Sequence, residues 1–101
     1  MTANEARVSI PNDVLFHELD GEAVLLNLQT GKYFGLDPMG TRIWQLLVEH
    51  GSPGMAYNIL LEEYDVDAKR LSTEMLALVD QLAAHGLIRL DLSLDYYESE
   101  A

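Results

Sequence analysis

The chain has 101 residues, six basic and seventeen acidic for a net charge of −11, and is 49% hydrophobic and 23% charged. That length supports one core rather than two, and the composition is that of a folded domain. The charge argues against nucleic acid as a partner, because phosphate binding rests on Lys and Arg, and with no cysteine there is no disulfide framework, thiolate nucleophile or sulfur-ligated metal.

Residues 8–13 begin as a short extended lead-in broken by Pro11. Residues 14–19 (Val-Leu-Phe-His-Glu-Leu) form the first solid strand, and Asp20-Gly21 supplies the positive-φ residue of a tight hairpin. Residues 23–28 are apolar at nearly every position, which suits a middle strand covered by helices on one face and partly on the other. Gln29-Thr30-Gly31 then turns the chain into Lys32-Tyr33-Phe34-Gly35-Leu36, a short aromatic edge strand. A free edge is a row of unpaired N–H and C=O groups, which is either blunted or used by a partner.

Asp37-Pro38 is a cap followed by proline at the first helical position, and it starts a helix to about His50 with Ile43, Trp44, Leu47 and Val48 on its apolar face. Gly51 ends that helix, and Ser52-Pro53 repeats the device for a second helix to about Tyr64, with Ala56, Ile59, Leu60 and Tyr64 on its apolar face. Asp67 caps a third helix over residues 68–85, closed by Gly86. Residues 87–90 are extended and pack or pair at the end of the domain. The expected division is a domain over residues 1–90 and an acidic, loosely held tail over 91–101. The fold class read from this order is α+β, a three-stranded antiparallel sheet followed by three helices, like a winged helix-turn-helix.

At about 100° per residue, Leu71, Met75, Leu78 and Leu82 form one stripe of the third helix, the expected core face. Ser72, Leu76, Val79 and Ala83 form a second stripe beside it. That second stripe either completes the core or walls a groove next to the edge strand.

Catalytic chemistry finds little support. His17, His50 and His85 are far apart in sequence and show no metal-ligand spacing, and no nucleophile elbow, phosphate loop or dinucleotide fingerprint is present. The reading is a protein that is not an enzyme and needs neither metal nor cofactor. No stretch of the sequence is long and apolar enough for a membrane span, and residues 1–7 lack signal-peptide features, so the expectation is a cytoplasmic protein without a membrane partner.

The run Leu19-Asp20-Gly21-Glu22-Ala23-Val24-Leu25-Leu26-Asn27-Leu28-Gln29-Thr30-Gly31-Lys32-Tyr33-Phe34-Gly35-Leu36-Asp37-Pro38-Met39-Gly40-Thr41-Arg42-Ile43-Trp44 resembles the PqqD-like family, relatives of the pyrroloquinoline quinone biosynthesis protein D. Glu62-Glu63-Tyr64-Asp65-Val66-Asp67 and His85-Gly86-Leu87-Ile88 match its later landmarks. The resemblance spans roughly residues 8–90. It implies a RiPP recognition element, RiPP denoting a ribosomally synthesised and post-translationally modified peptide. Such modules bind the leader of a precursor peptide as an added strand and present it to a modifying enzyme, often a radical S-adenosylmethionine protein.

On that implication the peptide-binding residues are Lys32, Tyr33, Phe34, Gly35 and Leu36 of the edge strand with Lys69, Ser72, Leu76, Val79 and Ala83 of the third helix. The quinone branch carries a Pro-Glu pair where this chain has Leu26-Asn27-Leu28-Gln29, so the resemblance implies leader binding without specifying the product. A monomer or weak homodimer is expected. Three helices and a small sheet also describe a winged-helix DNA-binding regulator, but the third helix offers only Lys69 and Arg70 against Glu74 and Asp80. A structural subunit without peptide binding is the third reading.

Overall fold

Two left-handed turns set the register of the sheet. A computed structural model describes residues 6–92 and gives, in chain order, β1 (Ala6–Ser9), β2 (Val14–Leu19), β3 (Glu22–Asn27), β4 (Lys32–Leu36), α1 (Pro38–His50), α2 (Pro53–Glu63), α3 (Ala68–Ala84) and β5 (Arg89–Leu92). Asp20 (φ 57°) and Gly21 (φ 83°) make the two-residue loop between β2 and β3 and pair Leu19 with Glu22. Gly31 (φ 73°) closes the next loop, its N–H donating to the Asn27 carbonyl at 2.7 Å. The sheet order β2-β3-β4, antiparallel throughout, makes β3 the middle strand and leaves β2 and β4 as edges. The fold is thus α+β, with a three-stranded sheet followed by three helices.

The helices start where their caps dictate. Asp37 Oδ1 accepts from the Gly40 N–H at 2.7 Å, Ser52 Oγ from Met55 at 3.2 Å, and Asp67 Oδ2 from Arg70 at 2.8 Å, each satisfying a donor that the helix cannot. Gly51 (φ 67°) ends α1 in the left-handed conformation, and its N–H donates to the Leu47 carbonyl.

The core lies between the sheet and the helices. Leu25, Leu46, Leu47, Leu60, Leu82 and Leu87 are fully enclosed, each stabilising the fold by about 1.5–3 kcal/mol relative to an exposed side chain. Ala23, Leu25 and Asn27 turn inward on β3, whereas Glu22 and Val24 are exposed, so among the described residues no second layer covers the outer face of the middle strand.

Several expectations need correction, among them Tyr64 on the apolar face of α2, which is exposed because it follows the last turn of the helix as its C-cap. Val48 is exposed, and Leu46 takes its place in the core, because α1 is enclosed over a wider arc than its polar residues suggest. On α3 the buried stripe is Leu71, Met75, Val79 and Leu82, with Leu78 half-buried on its flank. Val79 therefore belongs to the core rather than to a groove wall. The final extended segment pairs as expected, and its partner is the lead-in: β1 and β5 form a separate two-stranded ladder in which Val8 faces Leu90 and Arg7 faces Asp91. Asp91 and Leu92 thus belong to that ladder rather than to the tail, and residues 93–101 lie outside the described residues.

Candidate functional site

Antiparallel ladders alternate residues whose main chain faces a neighbour with residues whose main chain faces away. The Leu19–Glu22 closing pair is hydrogen-bonded, which turns Glu22, Val24 and Leu26 toward β2 and Ala23, Leu25 and Asn27 toward β4. Their opposites on β4 are Leu36, Phe34 and Lys32. The N–H and C=O groups of Tyr33 and Gly35 consequently point out of the open edge. These four groups are what the edge offers a partner.

The side chains divide the other way. Residues directly opposite share a face, so Lys32, Phe34 and Leu36 lie on the helix side with buried Ala23, Leu25 and Asn27, and Tyr33, 71% exposed, lies on the outer side. Between the helix side of β4 and α3 run two hollows. The first, about 460 Å³, is lined by Phe34, Leu36, Met39 and Ile43 on one wall and by Glu74, Ala77, Leu78 and Gln81 of α3 on the other. The second, about 370 Å³, lies toward the opposite end of β4 between Lys32, Tyr33 and Phe34 and the end of α3 at Ala84 and His85. Phe34 borders both, and its ring meets that of His85 at a centroid distance of 5.2 Å and a 50° tilt.

Asn27 holds the second hollow together. It is 5% exposed at the end of β3, donates from Nδ2 to the His85 carbonyl at 2.9 Å, and accepts at Oδ1 from the Gln29 N–H at 2.9 Å. One side chain thereby ties the turn before β4 to the C-terminus of α3. Gly86 (φ 71°) leaves the room this needs, since a Cβ there would stand 3.0 Å from Asn27 Nδ2.

The first hollow has an equivalent support. Gly40 lets α1 begin against the end of β4, because a Cβ would stand 3.0 Å from Asp37 Oδ1 and 3.3 Å from Leu36 Cδ2. Charge is distributed unevenly, with Lys32 at one end of the cleft and Asp37 and Glu74 at the other. Glu74 also accepts from Arg70 Nε at 3.1 Å.

All five β4 residues singled out in the sequence border the two hollows. The α3 residues do not. Val79 is buried, and Lys69, Ser72, Leu76 and Ala83 line neither hollow. At about 100° per residue, Glu74, Ala77, Leu78 and Gln81 occupy the flank of the core stripe opposite to that of Ser72, Leu76 and Ala83. Leu78 sat on the expected core stripe, and sequence reasoning missed Glu74, Ala77 and Gln81 because they are small or polar, whereas the search followed apolar residues. Asn27 did leave a signal, being a polar residue with the same inward parity as Ala23 and Leu25.

Elsewhere, Arg42 pairs with Glu63 between α1 and the end of α2, donating from Nε at 3.0 Å. The hydrogen bond lowers the Glu63 carboxyl below the ordinary glutamate range and raises the Arg42 guanidinium. Among the described residues no group of three or more His, Cys, Asp or Glu is placed to hold a metal, and no helix is long and apolar enough to cross a membrane.

This geometry has solved counterparts. TbiB1 in complex with the TbiA(beta) leader peptide is 38% identical, with a TM-score of 0.75 over 80% of this chain and 94% of the other. Lasso peptide synthetase B1 complexed with the leader peptide is 25% identical, with a TM-score of 0.73 over 82% of this chain and 98% of the other. No curated protein matches. The family described as coenzyme PQQ synthesis protein D matches residues 22–88, from β3 to the segment after α3; the chain belongs to the PqqD family.

Proposed function

We propose that the chain is a peptide-recognition module that binds the leader of a ribosomally made precursor and presents it to a modifying enzyme, doing no chemistry itself. The carrying observation is the open main chain of Tyr33 and Gly35 beside the β4–α3 cleft. A leader segment pairs with those groups as a fourth strand, which gives affinity with little demand on sequence. Its alternate side chains enter the hollows around Phe34, where Leu78 and Met39 select an apolar residue. Lys32 and His85 border the other end.

The likeness to two B1 proteins solved with leader peptides supports this reading. The name of the second, lasso peptide synthetase B1, and the stretch Leu26-Asn27-Leu28-Gln29-Thr30-Gly31 where the quinone branch carries a Pro-Glu pair, favour a lasso-type precursor over a quinone precursor. The acidic surface gives a DNA-binding regulator no footing.

Titration of the leader encoded beside this chain into ¹⁵N-labelled protein tests the proposal. The largest amide shifts are expected over Lys32–Leu36 and at Ala77, Leu78 and Gln81. Shifts concentrated on α2 and β5 would show that strand addition at β4 is wrong.

A further inference from the structure

The cleft beside β4 is polarised along its length. Its titratable lining is Asp37 and Glu74 at the end where β4 runs into α1, and Lys32, Tyr33 and His85 at the other end. Positive charge is scarce in this chain, with six basic residues against seventeen acidic, and Arg42 and Arg70 are committed to Glu63 and Glu74. No ion pair among the described residues engages Lys32.

Hydrogen-bonding capacity divides the same way. In the hollow at the Lys32 end, two oxygens are already used: Asn27 Oδ1 accepts from the Gln29 N–H and the His85 carbonyl from Asn27 Nδ2, both at 2.9 Å. Thr30 Oγ1 accepts from the Lys32 N–H at 3.2 Å, which leaves its own O–H to donate. With the Lys32 ammonium, this end offers donors in search of an acceptor. An ionised carboxylate accepts only and carries the opposite charge. At the far end Arg70 partly offsets Glu74 and Asp37 caps α1, but no base lines that hollow, so it disfavours a carboxylate.

We propose that the cleft selects a leader segment carrying an Asp or Glu on the C-terminal side of its apolar residue, the acid meeting Lys32 and the apolar side chain filling the first hollow. The inference rests on the reading of β4 as the leader site and adds the chemistry and direction of what binds there. An antiparallel fourth strand continues the alternation of β2, β3 and β4 and runs from the Leu36 end of β4 to the Lys32 end. Its residues opposite Leu36, Phe34 and Lys32 share the helix side and recur at every second position. The first hollow lies by Leu36 and Phe34, the second by Phe34 and Lys32, so the acid is the second or fourth residue after the apolar one. The same segment laid in the reverse sense would carry its acid to Asp37 and Glu74. Lys32 and His85 are exposed, so charge contributes a few-fold to affinity and serves mainly to choose among leaders and directions.

Calorimetric titration of the full chain with the leader encoded beside it tests the assignment, with the acidic residues of that leader replaced singly by Lys and its apolar residues singly by Ala. The apolar residue whose replacement costs the most affinity marks the first hollow. Lys in place of the acid that follows it by two or four positions is expected to weaken binding at least about fivefold, the scale of an exposed ion pair turned into a repulsion. Lys32→Glu is expected to weaken the unmodified leader by a similar factor and to bind the Lys-substituted leader better than the parent does, a reciprocal exchange that damage to the fold would not produce. A leader without an acid at either position, a Lys32→Glu variant with unchanged affinity, an absence of rescue, or rescue by a Lys on the N-terminal side of the apolar residue would each overturn the proposed polarity while leaving β4 as the leader site. A leader that does not bind the parent at all would instead remove the leader-binding reading, and this inference with it.

Discussion

Asn27 and His85, 58 positions apart, are joined by a hydrogen bond from the asparagine amide to the histidine carbonyl at 2.9 Å. The bond fixes the spacing between the turn that precedes β4 and the last turn of α3, the two walls of one end of the cleft. His85 caps α3 and its own N–H is engaged within the helix, so its carbonyl is one of the orphan acceptors that every helix C-terminus must satisfy.

Replacing Asn27 with Leu keeps the branched shape, at a somewhat larger volume, and removes both bonds. The His85 carbonyl and the Gln29 N–H then lose their partner, at a cost of about 1–3 kcal/mol, expected as a lower urea midpoint with an unchanged slope. Gly86→Ala is expected to destabilise by a comparable amount, because it strains a residue at φ 71° and places a methyl 3.0 Å from Asn27 Nδ2. If both variants keep full stability, Asn27 does not hold the two walls together.

The open edge predicts a pattern in amide exchange. Phe34 and Leu36 face β3 and are expected to be protected in the free protein, whereas Tyr33 and Gly35 exchange quickly. Adding leader peptide is expected to slow Tyr33 and Gly35 selectively. Protection of Tyr33 and Gly35 in the free protein would mean that the edge is already occupied.

Acid should act on the α1–α2 contact. The folded Glu63 carboxyl titrates below its unfolded value because Arg42 holds its charged form. The pair's stabilisation is therefore present above the ordinary glutamate range and is lost as pH falls through the lowered folded value. Both side chains are solvent-accessible, so the contribution is small and screened by salt. Arg42→Gln is expected to return the Glu63 titration midpoint, followed by carboxyl NMR, to the ordinary range. A midpoint that stays low in the variant would assign the shift to another group.

What could be read from the sequence was what short-range chemistry encodes. Asp37-Pro38, Ser52-Pro53 and Asp67 specify helix starts within four residues, and Asp20-Gly21 and Gly31 specify the turns that make β4 an edge. The β1–β5 ladder was only half visible, because its register joins residues such as Arg7 and Asp91 across nearly the whole chain and no local signal sets that pairing. The α3 wall was misplaced for a different reason. Val79 looked like part of a surplus apolar stripe, but it is buried in the core. The open flank carries Glu74, Ala77 and Gln81, which an apolar pattern passes over.

That misplacement yields the sharpest test, because the two flanks of α3 predict opposite outcomes. Leu76 is 55% exposed and lines neither hollow, so Leu76→Glu is expected to leave both stability and leader affinity nearly unchanged. Ala77 lines the first hollow and is exposed. Ala77→Trp adds a large ring where an apolar leader side chain must enter, without removing any core contact. Its melting temperature is expected to stay close to that of the parent, while leader affinity falls at least tenfold, equivalent to ~1.4 kcal/mol. Leu78→Ala is the complementary change: half-buried Leu78 packs on the core as well as the cleft, so some stability and some affinity should be lost together. Calorimetric titration of the three variants with the same leader separates the alternatives. Loss of binding in Leu76→Glu with retention in Ala77→Trp would return the groove to the Ser72–Leu76–Ala83 flank and reject the cleft described above.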